Sequence, residues 1–190
     1  MLEDLKKITE LTSIKESNSF YQSFFKKEDI INIFRKLKEN ELLSFDQLID
    51  ITAIDYPSKE NRFELIYILL SMKKNKRIIL KTLVNESDSI DSIIQIFRAS
   101  DWYERECYDL FGIKFNNHPD LRRIMTDYNF EGHPLRKDFP LTGHTEVRYD
   151  DIEKKVVYEP VKLTQEYRDF DYTSPWEGMP QGIDDHNEQE

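Results

Sequence analysis

The chain has 190 residues, of which 38% are apolar, 34% charged and 13% aromatic, and its net charge is −10. That length suits a domain with a real core, and the acidic balance argues against nucleic acid or an anionic membrane surface as the main partner, since both select basic patches. The longest apolar run, Leu65–Leu70, is too short to cross a bilayer, and the single cysteine, Cys107, cannot make an internal disulfide, a four-cysteine zinc site or an iron–sulfur cluster held by this chain alone.

The amino-terminal Met1–Lys7 carries acids where a signal peptide needs a basic region, so the chain is expected to work where it is made or to be in mature form. Phe20–Phe25 reads as a short strand. Over 27–39, Ile30, Ile31, Phe34 and Leu37 recur at helical spacing among Lys and Glu, which predicts an amphipathic helix. Leu48–Ile54 reads as a strand closed by the turn Asp55–Ser58. Arg62–Ser71 is apolar on both alternating faces, which predicts a central strand covered on each side. A polar connection at Lys73–Lys76 leads to a third strand over Arg77–Val84, and such tight spacing makes the meander antiparallel.

Ser87–Ser89 offers N-cap residues for a helix through Ile90, Ile93, Ile94 and Phe97. A second helix opens at Ser100–Asp101, with Glu104 placed as in a capping box and Gly112 as its C-cap. Beyond Phe115 the periodicity stops. Residues 1–100 balance 16 basic against 16 acidic groups, whereas residues 101–190 hold 11 and 21, with all five glycines, all four histidines and six of seven prolines. Frequent prolines forbid a long helix there, yet Phe130, Phe139, Tyr149, Tyr158 and Trp176 are more than a disordered tail would carry. Ordering each such residue costs about 1–2 kcal/mol of backbone entropy, so this stretch is expected to lie as an extended arm along another surface.

On the helix 101–112, Tyr103, Cys107, Leu110 and Phe111 share one face, and Trp102, Glu106 and Asp109 another. Glu104, Arg105, Glu106 and Asp109 could serve metal or acid–base chemistry. The plainer reading, a salt-bridged helix packed by its aromatic face, is favoured because no His or Cys stands in ligand register. His118, His133 and His144 are too widely spaced to join Cys107 as a zinc set and read as turn or interface histidines. Asp120–Arg123 and Leu135–Asp138 are basic islands that could bind phosphate, but their adjacent acids favour ion pairs within or between subunits. Acidic neighbours would raise the Cys107 pKa, so buried packing is expected of it. There is no P-loop, Gly-rich dinucleotide loop, zincin motif or paired-cysteine motif. The balance favours a structural subunit of an assembly over a free-standing enzyme.

The run Trp102–Ile113, continued by Asn117–Asp127 and Phe130–Pro140, resembles the thirty-kilodalton-type subunit of respiratory complex I, the proton-pumping NADH:ubiquinone oxidoreductase (the C subunit in bacteria, the ninth in mitochondria). Asp50–Pro57, Arg62–Ser71, Val147–Asp150 and Gln165–Trp176 fit the same family, over about residues 27–177. Asn117 departs from the glycine many members carry before His-Pro, and asparagine tolerates positive φ better than most residues.

The resemblance implies an α+β fold, an antiparallel or mixed sheet flanked by helices, followed by a long extended carboxyl-terminal arm. Residues 1–114 would form the core domain with the motif helix 101–112, and 115–190 the arm wrapping onto partner subunits. It implies a non-redox subunit in the peripheral arm of the complex, supporting the large quinone-site (forty-nine-kilodalton-type) subunit. The chain would hold no catalytic centre, metal or cofactor, with FMN, iron–sulfur clusters, NADH and ubiquinone bound on other subunits. Glu104, Arg105, Glu106, Asp109, His118, Pro119, Arg122, Arg123, Glu131, Gly132, His133, Pro134, Arg136, Lys137 and Asp138 are then the candidate interface and framework residues.

Its place would be peripheral to an inner membrane, on the matrix side of a mitochondrion by preference or the cytoplasmic side in a bacterium. Three alternatives stand beside this reading. One is the homologous scaffold of a related quinone-linked dehydrogenase or membrane hydrogenase, another an acidic adaptor with transient partners. The third is a small hydrolase using Glu106, Asp109 and His133.

Overall fold

The computed structural model describes residues 1–17 and 20–165. The readings placed on Trp176 and on the family stretch beyond Gln165 lie outside the described residues. In chain order the elements are α1 (Leu2–Lys6), β1 (Thr12–Glu16), β2 (Phe20–Phe24), a 3-10 turn at Lys27–Asp29 leading into α2 (Ile30–Glu39), β3 (Gln47–Asp55), β4 (Phe63–Ser71) and β5 (Lys76–Val84). After them come β6 (Ser89–Asp91), α3 (Ser100–Phe111), β7 (Lys114–Asn116), β8 (Thr145–Asp150) and β9 (Lys155–Pro160).

Short turns force β3, β4 and β5 into the expected antiparallel meander, with Ile51 opposite Tyr67 and Tyr67 opposite Leu80. β2 joins β5 in parallel, which the intervening α2 crossover permits, and β1 pairs antiparallel on its outer side. The result is a mixed five-stranded sheet in the order β1-β2-β5-β4-β3. Helix α2 buries Ile30, Ile33, Phe34 and Leu37, with Ile33 taking the inward place and Ile31 only half-buried. The Phe34 ring meets Tyr67 edge-on at 4.9 Å and also touches Phe25 and Phe97. Each such fully buried side chain stabilises by about 1.5–3 kcal/mol.

Two expectations need correcting here. β4 is interior to the sheet, but among the described residues its faces are covered unequally: Phe63, Leu65, Tyr67, Leu69 and Ser71 are buried on one, while on the other Glu64 is buried and Ile66, Ile68 and Leu70 are only partly so. Both α2, through Phe34, and α3, through the Cys107 thiol 3.2 Å from the Ile51 carbonyl, lie on the Tyr67 face. The second correction concerns 87–97, which forms no helix. Ser89–Asp91 is a strand parallel to β7, making a β6–α3–β7 crossover unit, and single turns at 93–97 follow. The would-be cap Asp88 is drawn away by Lys27, at 2.6 Å. Ser92 N–H donates to the Asn116 carbonyl and Ile93 N–H to the Glu104 carboxylate, so this backbone is satisfied across the fold instead of along a helix.

Residues Met1–Gly143 form one unit and His144 onward another. In the second unit β8 and β9 pair as a hairpin, with Val147 opposite Tyr158 and Tyr149 opposite Val156 on one face. On the other face Arg148 pairs with Glu159 at 2.6 Å.

Candidate functional site

Helix α3 carries the densest motif, and its inner face is more polar than its sequence suggests. Cys107 and Phe111 are buried as read, but so are Glu104, Arg105 and Asp109. No side chain caps its start: Glu104 turns inward rather than closing a box with Asp101, and Ala99 occupies the N-cap position. Its end follows the sequence rule, with Gly112 at φ 83°. A side chain there would also collide with the His133 ring, since a Cβ would stand 2.7 Å from Nε2. Burial pushes the Cys107 thiol well above its ordinary range, with neighbouring acids adding to the effect.

The stretch 117–143 contains no helix or strand, so its backbone groups need partners elsewhere. Two buried carboxylates supply many of them. Asp109 Oδ2 accepts the N–H groups of Ile124 (3.0 Å), Met125 (2.7 Å) and Thr126 (2.9 Å). Its Oδ1 accepts Arg123 Nη1 at 2.6 Å and the Thr126 hydroxyl at 2.5 Å. Burial alone would raise this carboxyl, but the Thr126 hydroxyl and N–H, Arg123 and Ile124 together hold it well below the usual carboxylate range.

The final carbonyls of α3 are met from the same stretch. Leu135 N–H donates to Leu110 O, and His133 Nδ1 donates to Asp109 O at 2.8 Å. Arg105 closes the other side, giving Nε to Arg122 O and Nη2 to Arg123 O at 3.1 and 3.2 Å while its guanidinium covers Trp102. Arg123 Nη2 reaches Gly132 O at 3.0 Å. Asn117 adopts φ 59°, the conformation its departure from glycine has to tolerate.

The second carboxylate is Asp55, at the end of β3. It takes a bidentate pair from Arg62, Nε at 2.7 Å and Nη2 at 2.9 Å, and Lys137 N–H at 2.7 Å. Arg62 continues to Asp138 at 2.9 Å, and Arg136 binds Glu86 and Asp138, so β3, β4 and the turn at 136–139 are tied by one network. The Arg62 bond, with help from Lys137 N–H, lowers the Asp55 pKa. Asp138 is lowered by Arg62 and Arg136 in the same way.

Sequence reasoning found Arg136 and Asp138 but missed Asp55, Arg62 and Glu86. The available signal was an acid and a base placed at facing ends of the β3–β4 hairpin. Of the candidate residues, Glu104, Arg105, Asp109, Arg123, His133, Arg136 and Asp138 join these internal networks, and the His118 side chain is fully enclosed. Gly132, at φ 95°, packs against the Phe139 ring, and Pro134 is half-buried. Pro119, Arg122, Glu131 and Lys137 face outward, and Glu106 is half-buried. Arg122 pairs locally with Asp120. Among the described residues no three His, Cys, Asp or Glu side chains converge on a common point as a metal would require, and no helix is long and apolar enough to cross a membrane.

The fold is similar to a chain of the membrane-bound sulfane sulfur reductase, an archaeal respiratory membrane complex, with a TM-score of 0.64 and 25% identity over 74% of this chain and 83% of that one. The α+β fold class of this sheet and its helices is thus one found in a chain of a respiratory membrane complex. The family described as "Respiratory-chain NADH dehydrogenase, 30 Kd subunit" matches residues 24–145, and the chain belongs to that family. Its relatives include the C subunit of NADH-quinone oxidoreductase from Hyphomonas neptunium, 54% identical over 80% of this chain and 76% of that protein. The proteins of the same name from Ruegeria sp. and Rhodopseudomonas palustris are each 55% identical, over 80% and 78% of this chain and 76% and 73% of theirs. These relatives are bacterial and give no support to the mitochondrial preference.

Proposed function

We propose that this chain is a non-redox, structural subunit of the peripheral arm of proton-pumping NADH:quinone oxidoreductase. In that complex it supports the large quinone-site subunit, and FMN and iron–sulfur clusters reside on other subunits. The observation that carries the reading is the use made of the family motif. Its charged side chains bind one another and the backbone of 117–143, building a rigid surface instead of a set of groups open to substrate. Asp109 is saturated by five hydrogen bonds, and His133 Nδ1 is committed to a helix carbonyl. That removes the base and the acid a hydrolase built on Glu106, Asp109 and His133 would require. The reductase neighbour, at 25% identity, is a more distant relation than the bacterial NADH-quinone oxidoreductase proteins at 54–55%.

Two surfaces suit the partner. One is the outward part of the motif, Glu131 and Lys137, which stand exposed beside the clamped backbone. The other is the hairpin face bearing Val147, Tyr149 and Val156, each more than half exposed. A two-stranded hairpin is marginal in water by itself and gains stability when such a face is covered. The chain would lie on the cytoplasmic side of a bacterial membrane, peripheral to it.

The test uses Lys137→Glu with Glu131→Lys, which leaves both internal networks intact, together with a photo-crosslinking residue at Val147. The isolated double variant should melt like the unsubstituted chain while its incorporation into the large complex on native gels falls. Crosslinks from 147 should reach the quinone-site subunit. Normal incorporation without crosslinks, or turnover of a substrate by the purified chain alone, would overturn the reading.

A further inference from the structure

The two acids on the inner face of α3 are treated in opposite ways by the fold. Asp109 is surrounded by donors, whereas Glu104, with no exposed surface, receives one backbone hydrogen bond, from Ile93 N–H to Oε1 at 2.9 Å, with the Ser92 and Ser100 hydroxyls near its carboxyl. Its Oε2 is buried and has no hydrogen bond of good geometry, and the hydroxyls of Tyr67, Ser71 and Ser100 are buried in the same condition. Among the described residues no Lys or Arg pairs with Glu104.

The nearest group able to carry positive charge is His118, whose Nε2 lies 3.8 Å from Oε2 and 3.4 Å from Asp101 Oδ1. His118 Nδ1 accepts the Asp120 N–H at 3.2 Å, however, so that nitrogen bears no hydrogen. Its Nε2 is directed at the Asp101 carbonyl, at 3.3 Å, rather than at the Glu104 carboxyl, which lies beyond hydrogen-bond reach. The other titratable groups facing Glu104 are Asp101 and Cys107 on its own helix and Tyr67 from β4, none of them cationic.

We propose that Glu104 is held as the neutral, protonated acid in the folded chain, and that this buried proton makes the seat of α3 against the turn 92–97 pH-sensitive. An isolated buried carboxylate is strongly disfavoured, and protonation converts the orphan acceptor Oε2 into a donor for a neighbouring hydroxyl oxygen. Ser100, whose hydroxyl acts on this same carboxyl, is the nearest such acceptor by sequence, one helical turn before it. The Ile93 bond remains on Oε1, so the carboxyl that gains or loses the proton is the one that joins the turn after β6 to the helix. Burial pushes the Glu104 carboxyl up to about 7, against the pull of the Ser92 hydroxyl, the Ile93 N–H and the Ser100 hydroxyl.

The sign follows from linkage. A folded value of about 7 exceeds the unfolded value of 4.5, so the contribution is fully present below pH 4.5 and is lost as pH rises through about 7. For one such site the folding constant falls about 30-fold between about pH 5.5 and 8.

The experiment compares the full-length chain with Glu104→Gln, an uncharged mimic of the protonated acid. Glu104→Gln should lack this 30-fold component while matching the unsubstituted chain at the lower pH. The infrared band of a protonated carboxyl, present in the unsubstituted chain, should be missing from the variant. Carbon NMR of the unsubstituted chain should show one glutamate titrating near neutrality, a result that does not depend on the variant folding. Retention of the full pH slope by Glu104→Gln, a stability loss at the lower pH, or glutamates that all titrate in the ordinary range would each overturn the proposal.

Discussion

The sheet with α2 and the stretch 117–143 belong to one unit but are held by different forces. Around Phe34, Tyr67 and Leu65 the chain excludes water with interlocking apolar side chains, and its backbone bonds are made within strands and helix. The backbone of 117–143 has no secondary structure, and the buried carboxylates of Asp109 and Asp55, with guanidiniums, stand in for the missing ladder. The contrast teaches that a segment without regular structure can still present a fixed surface if a few ionised groups meet its amides. Apolar burial tolerates exchange of similar volumes. A carboxylate receiving five donors tolerates almost nothing, because each donor sets a direction.

The largest effect should come from the apolar side. Phe34→Ala removes a ring that meets three others and should cost about 4 kcal/mol, seen as a single lowered midpoint in denaturant for the whole unit. Asp109→Asn follows at about 3 kcal/mol, since it leaves Arg123 without its counter-charge and turns an acceptor into a donor facing other donors. Its signature is regional. Hydrogen exchange of the Ile124, Met125 and Thr126 amides should quicken, while β4 and β5 amides keep their protection. Equal loss of protection in both regions would erase the distinction.

Acid gives the smallest and most selective change. Asp109 and Asp55 have folded pKa values below their unfolded ones, so they stabilise the fold above about pH 4, and that contribution is lost as pH falls further. Near pH 3, the loss from Asp109 is about 1 kcal/mol, and exchange at 124–126 and 137 should rise before the sheet opens. An acid transition starting in the sheet would reverse the assignment of forces.

The sheet was legible because its signals are local. The alternation in Arg62–Ser71 and the tight turns predict the meander directly, and Gly112 marks the helix end. The segment 87–97 misled for a specific reason. Ile90, Ile93 and Phe97 do face the core at helical spacing, but their backbone partners are Glu104 and Asn116, groups distant in the chain. The faces of α3 were half-legible. Periodicity placed Cys107 and Phe111 inward and could not show that the loop beyond β7 returns to cover Asp109 as well.

By itself the sequence determined the α+β class, the meander, the α3 boundaries to within a residue and the family, because these rest on neighbours in the chain and on a long unbroken motif. The segregation of charge was also plain, with the acidic excess confined to the second half. Only tertiary structure decided what the motif's charges do. Whether a glutamate or an aspartate on one helix keeps its proton depends on the donors that fold around it. For Asp109 those donors come from 123–126 and satisfy both oxygens, whereas for Glu104 they are fewer and leave Oε2 unmatched. Charge state is a property of the surroundings, and the surroundings exist only after folding.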